Sequence, residues 1–250
     1  MPQGINPIFI LVFAVSVSIF GLFTTLMLTL RPPTIQENLL WRKPLIGLIF
    51  SLICVLGIFA AIFPRRCSGT FHFREEKKNS VAGGEPSTTL KGHHPDCEKF
   101  SEHVIHISKR RLCAACTGLS LGVFIVLVGT AFYFFGGWRV DEMSLPAALI
   151  GIVGVALGFL QLKFPGFIRL SLNTLFVLGA FLSLVGIDAL VQSLFIDMFL
   201  IALIVFWLIT RIMLSQWDHS RTCQNCESKC EIHIQKKRAS ICGAIHTRRQ

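Results

Sequence analysis

The sequence predicts an all-α integral membrane protein of six transmembrane helices, with a small cytoplasmic loop and tail stapled by metal. Three observations predict it. Of 250 residues, 52% are hydrophobic and 15% charged, whereas a soluble domain carries about 25% charged residues. The missing charge leaves apolar runs long enough to cross a bilayer, which takes about 20 residues of helix. Eight of the nine cysteines lie outside those runs, in basic segments and at the spacing of metal ligands.

The first run, 7–30, has no charge and stops at Arg31-Pro32-Pro33, where proline cannot continue a helix. It lacks the basic leader and small-residue cleavage site of a signal peptide and is too long for one, so it is expected to stay as a helix. The second, 44–63, is closed by Pro64-Arg65-Arg66. The third runs from 117 to 135, ahead of Gly136-Gly137, and the fourth from 145 to 162, ahead of Lys163-Phe164-Pro165-Gly166. The fifth and sixth, 170–190 and 194–214, share a short polar join. Gly118 and Gly122, and Gly154 and Gly158, have the spacing that lets helices approach closely. Asp188 and Asp197 flank the last join and are expected at the membrane interface, with Gln161 and Asn173 near helix ends in structural roles. Cys54, inside the second run, reads as packing. By this reading the membrane part is chemically quiet.

Six spans put both termini on one side, together with the segment 64–112 and the short turn 163–169. That side holds 20 Lys and Arg, against 4 on the other, where Arg31, Arg42, Lys43 and Arg139 fall. Basic loops stay in the cytoplasm, so the large loop and both termini are expected there, in a cell membrane. The first helix alone, with no basic residue before it and Arg31 after it, points the other way; the total decides. The same rule accounts for the net charge of +10 without nucleic acid, for which no binding motif appears.

The chain divides into a two-helix hairpin (1–63), a flexible basic linker (64–92), a Cys/His knuckle loop (93–118), a four-helix membrane region (117–214) and a Cys-rich tail (215–250). In the loop, His94 and Cys97 are separated by two residues, Cys97 and Cys113 by fifteen, and Cys113 and Cys116 by two. That is the paired-knuckle spacing of zinc, with His for the first Cys. A two-residue gap lets both side chains of a pair reach one ion, and a hairpin between the pairs, turning at the basic residues 108–111, brings them together. The segment is too small to fold by burial, so the metal would supply its stability. A redox pair is the competing reading of Cys113 and Cys116, since a helix N-terminus lowers a thiol pKa. Exposed histidines such as His93 can equally be surface residues or spare ligands, and Cys67 a spare ligand.

The tail repeats the pattern. Cys223, Cys226, Cys242 and His246 have the same paired spacing, while Cys223, Cys226, Cys230 and His233 form a tighter set. The spacing leaves both open. An iron–sulfur cluster on Cys223, Cys226, Cys230 and Cys242 is a further option, although the spacing follows neither ferredoxin pattern. A reducing cytosol disfavours disulfides.

The stretch from His93 to Gly122 resembles an uncharacterised family of small prokaryotic membrane proteins. The residues that carry the likeness are His94-Pro95-Asp96-Cys97 and Cys113-Ala114-Ala115-Cys116-Thr117-Gly118-Leu119, then Gly122, about thirty residues in all. Many members have Cys-His at the first pair and Arg between the last two cysteines, where this chain has His-x2-Cys and Ala115, and the Cys-rich tail is additional. The resemblance implies a membrane protein with a Cys/His site and brings no reaction.

Three functions follow as expectations. The first is a membrane protein whose cytoplasmic zinc sites brace the loop and tail, as a scaffold or docking face for a cytoplasmic protein partner or a second copy. The second is a thiol or iron–sulfur redox protein coupled to membrane carriers. The third is a transporter or channel component, for which the apolar spans offer little. No Ser/His/Asp set, phosphate loop or carboxylate pair stands out as catalytic.

Overall fold

The computed structural model of the chain describes residues 7–33, 37, 39–62, 104–107, 110–164 and 166–224. Six helices in it are long and apolar enough to cross a membrane. They are α1 (Pro7–Leu30), α2 (Arg42–Ile62), α3 (Ala114–Thr130), α4 (Ser144–Phe159), α5 (Gly166–Val191) and α6 (Leu194–Gln224). Between α2 and α3 lies a two-stranded antiparallel hairpin, β1 (Val104–Ile107) and β2 (Arg110–Cys113). The fold is therefore helical in its membrane part, with one small hairpin at the edge of it. The linker 64–92, the loop residues 93–103 and the tail from 225 onward lie outside the described residues.

The bundle is built around α5. Of its most apolar stretch 61% is buried, against 22–39% in the other five helices, so α5 meets protein on most sides while its neighbours face lipid on one. The α4–α5 contact is backbone on backbone. A Cβ on Gly179 would lie 2.6 Å from the Gly151 carbonyl oxygen and 2.7 Å from the Val155 nitrogen. One on Gly186 would lie 2.5 Å from the Ala148 nitrogen. In lipid no hydrophobic effect drives helices together, so close van der Waals contact through small residues does that work. Gly118 and Gly122 of α3 face α5 in the same way, against Leu170 and Val177, and Gly158 of α4 meets Phe176. At the periphery, Trp207 of α6 donates its indole N–H to the Ser18 carbonyl of α1 at 3.2 Å, and Ser18 donates to the Thr210 hydroxyl at 3.1 Å.

Helix ends depart from the apolar runs. α2 begins at Arg42 rather than 44, because Pro44 is tolerated in a first turn. α3 begins directly after β2, three residues before the apolar run. α5 begins four residues early, at Gly166. The regular part of α4 stops at Phe159 and tightens into a 3₁₀ turn, Leu160–Lys163. α6 runs ten residues past 214, into the segment read as tail, since nothing from 215 to 224 is proline or glycine. Hydropathy marks where lipid ends, not where the hydrogen-bonded ladder ends. The end of α3 widens into a π-helical turn, Ala131–Phe135, which turns the consecutive Tyr133 and Phe134 both inward. Gly137, at φ +70°, closes it.

Candidate functional site

Two polar centres lie at opposite ends of the bundle. At one end, β2 runs straight into α3. Its last residue, Cys113, is extended (φ −67°, ψ 120°) and precedes the first helical turn, which carries Cys116. Thr117 locks that turn, donating to the Cys113 carbonyl at 2.9 Å. Both thiols are free and half-buried. The hydrogen bond from the Cys116 thiol lowers the pKa of Cys113 to about 6; burial opposes this, and the N–H groups of Cys116 and Ala115 and the charge of Arg211 add to it. Open N–H groups at a helix start favour a thiolate for the same reason that they favour any anion.

Against this turn stand two guanidinium groups. Arg169, in the first turn of α5, is 1% exposed and pairs with Asp218 of α6 at 2.9 Å. Arg211 of α6 is 2% exposed, donates to the Gln161 amide oxygen at 3.0 Å and stacks 5.6 Å from the centre of the Phe176 ring. Asn173 is fully buried and donates to the Arg169 carbonyl at 2.6 Å. Among the described residues, Arg169 Nε and Nη1, Arg211 Nε and Asn173 Oδ1 have no hydrogen-bond partner. Gly118 packs on Leu170 and Asn173, and Thr174 donates to the Gly118 carbonyl at 3.0 Å, which fixes the cysteine turn against the start of α5.

At the other end, about 28 Å along α5 by helical rise, Asp188 and Asp197 are both 0% exposed. Arg42 bridges them: its Nη1 donates to Asp188 Oδ1 at 2.5 Å and also to Asp197 Oδ2. The Tyr133 hydroxyl donates to Asp188 Oδ2 at 2.6 Å. Lys43 lies 3.9 Å from the same oxygen and 4.6 Å from the centre of the Tyr133 ring. Among the described residues, Asp197 Oδ1 has no hydrogen-bond partner. Glu37 caps the α5–α6 join, accepting from the Leu194 N–H at 3.0 Å and the Ser193 hydroxyl at 3.2 Å. Gln192 turns the join at φ 55°. A cavity of about 280 Å³ opens beside Glu37, Arg42, Lys43 and Gln192.

This corrects the reading of the membrane part as chemically quiet: the two aspartates stand at helix ends beside the last join, as expected, but are buried in protein and paired. Arg42 enters with the first turn of α2 and pairs with both, and Lys43 adds a second cation 3.9 Å from Asp188. Arg42, Arg169 and Arg211 are among the residues that the sequence counts as surface basic charge, yet all three are buried. A signal existed in the carboxylates beside an apolar join and in Tyr133, the single tyrosine of the chain.

Of the residues expected to hold metal, Cys113 and Cys116 are brought together. Cys223 falls in the last turn of α6. His93, His94, Cys97, Cys67, Cys226, Cys230, His233, Cys242 and His246 lie outside the described residues. Among the described residues there is no group of three metal-binding side chains. No protein-family model, curated protein or solved structure matches the chain.

Proposed function

We propose that this chain is a multi-pass membrane protein in which a zinc ion, held by His94, Cys97, Cys113 and Cys116, fastens the loop after α2 to the start of α3. The hairpin register carries the reading. Val104 pairs with Cys113, so the chain entering β1 arrives level with the cysteine turn. Seven of the fifteen residues between Cys97 and Cys113 are strands of this hairpin, and the zinc reading requires His94 and Cys97, which lie outside the described residues, to return to the cysteine turn. A paired zinc knuckle needs that return path. Two free thiols, one of them disposed to ionise near neutral pH, supply half of a tetrahedral donor set.

The tail, through Cys223 and Cys226 with Cys242 and His246, would hold a second ion on the same side of the bundle. With loop and tail braced, that side offers a rigid face for a cytoplasmic protein partner or a second copy; its cytoplasmic placement rests on the excess of basic residues. Elemental analysis of the purified chain tests the reading. One or two zinc ions per chain are expected, with one lost in Cys113→Ser and, if the tail is loaded, one in Cys223→Ser. Folded wild-type protein without metal would sink it.

The second reading, a thiol redox pair, is favoured by one observation, the hydrogen bond between the two thiols that lowers the pKa of Cys113. It predicts reversible loss of two free thiols on titration with a disulfide buffer. Thiols that stay reduced across the physiological range remove it, and a colourless protein removes an iron–sulfur cluster.

A further inference from the structure

The end of the bundle away from the cysteines holds two carboxylates in unequal surroundings. Asp188 accepts from the Tyr133 hydroxyl at 2.6 Å and from Arg42 Nη1 at 2.5 Å, and Lys43 lies 3.9 Å from it. Asp197 accepts from that same Arg42 nitrogen, and its Oδ1 is buried with no hydrogen-bond partner among the described residues. A nitrogen shared between them brings the two carboxyl groups within about 5 Å, a range in which like charges oppose each other's ionisation. Both are 0% exposed, so water does not screen them. The surrounding elements add few other ionisable groups. α1 and α4 carry none, and Arg31, Arg139, Asp141 and Glu142 at the rim are exposed. Glu37 is engaged with Ser193 and Leu194 at the α5–α6 join. Residues 34–36 and 38, which lie in the same loop outside the described residues, are uncharged.

We infer that Asp197 is a proton-exchange site: it takes up and releases a proton at Oδ1, while Asp188 stays an anion held by Tyr133, Arg42 and Lys43. Uptake forms an O–H bond on Asp197 with a proton delivered from water, and no other covalent bond changes. The summed charge of Arg42, Lys43, Asp188 and Asp197 rises from zero to +1. Arg42 links the site to water. It bonds Asp197 and also lines, with Lys43, Glu37 and Gln192, the cavity of about 280 Å³ at this end of the bundle. Two local irregularities hold the arrangement. The π turn points Tyr133 at Asp188, and Gln192 takes φ 55° where α5 turns back into α6. Irregular turns and strained backbone of this kind cluster at functional sites, and carboxylates buried in membrane segments are functional groups by default. With Asp197 neutral, Arg42 is held by charge to Asp188 alone, so proton uptake relaxes the tie between the starts of α2 and α6. This chemistry is independent of zinc at the other end.

The test is infrared difference spectroscopy of the full chain in detergent, between mildly alkaline and mildly acidic buffer. On acidification a carboxylic C=O band is expected at the high frequency of a carboxyl shielded from water, and it is expected to shift in deuterated buffer. Isotopic labelling of aspartate is expected to move it, and neither observation depends on a variant folding. Asp197→Asn is expected to abolish the band, and a dye-monitored titration of that variant to show one proton fewer taken up per chain. Asp141→Asn removes an exposed carboxylate at the same end and is expected to leave the band unchanged. Absence of a shielded carboxyl band from the folded wild-type chain overturns the inference, as does a band that persists in folded Asp197→Asn.

Discussion

Arg42 holds two carboxylates on one guanidinium, and the three residues come from the starts of α2 and α6 and the end of α5. Removing one member of a buried ion pair strands the others, at roughly 3–5 kcal/mol. Arg42→Met is therefore expected to lower the stability of the detergent-solubilised protein by about that amount, read as a loss of folded fraction on heating. The combination Arg42→Met, Asp188→Asn and Asp197→Asn is expected to recover part of it, because neutral side chains strand no charge. Cys113 offers a second measurement. With its pKa lowered to about 6 by the Cys116 hydrogen bond, the thiolate is present above that pH and lost below it. Alkylation of metal-free protein at this residue is expected to reach half its maximal rate near pH 6, and to be suppressed at every pH when zinc is bound. A half-maximum at the pH of an ordinary thiol contradicts the lowered pKa of Cys113. At this scale the sequence was partly legible. Asp188 and Asp197 stand out as carboxylates beside apolar runs, but their partner Arg42 looks like a loop residue, because a charge at the edge of a run carries no mark of which way it points.

The α4–α5 contact has almost no side-chain layer. Gly179→Ala places a methyl group where the Gly151 carbonyl and the Val155 nitrogen stand, and neither can move without its helix. A destabilisation of roughly 1–3 kcal/mol or more is expected from such overpacking. Gly57, with open space around its missing Cβ, is the control: alanine there is expected to be neutral or to stabilise by up to about 1 kcal/mol through helix propensity. Loss of folded protein in both variants alike would show that the effect is not packing. The existence of six helices is legible because each run exceeds a membrane's thickness. The pairing of α4 with α5 through Gly151 and Gly179 is less so, since Gly151 and Gly154 are three residues apart and their partner lies on another helix. The π turn at Ala131–Phe135 had no signal in composition, although it points Tyr133 at Asp188.

The two polar centres give the molecule distinct ends. One carries the cysteine turn, Arg169 and Arg211; the other carries Arg42, Asp188 and Asp197. We propose, from the excess of basic residues, that the first end faces the cytoplasm, and reporter fusions after Gln250 test it. A fluorescent protein is expected to be bright there and an alkaline phosphatase inactive, and the reverse result inverts the topology. The cysteine site was legible only as spacing. Its partners Arg169 and Arg211 come from helices some fifty to a hundred residues further on, and no linear pattern links them to it.

Arg42 stands 146 residues before Asp188 and 155 before Asp197. During synthesis it leaves the ribosome long before either acid, so until α5 and α6 are made its guanidinium lacks both carboxylates with which it pairs in the folded chain. The pairing forms only once the last two helices supply their carboxylates. Arg42 is in this sense a latch that closes at the end of translation. Residues 1–63 and 64–250, made as separate chains in one cell, should still find each other through it, and Arg42→Met should leave the two fragments apart.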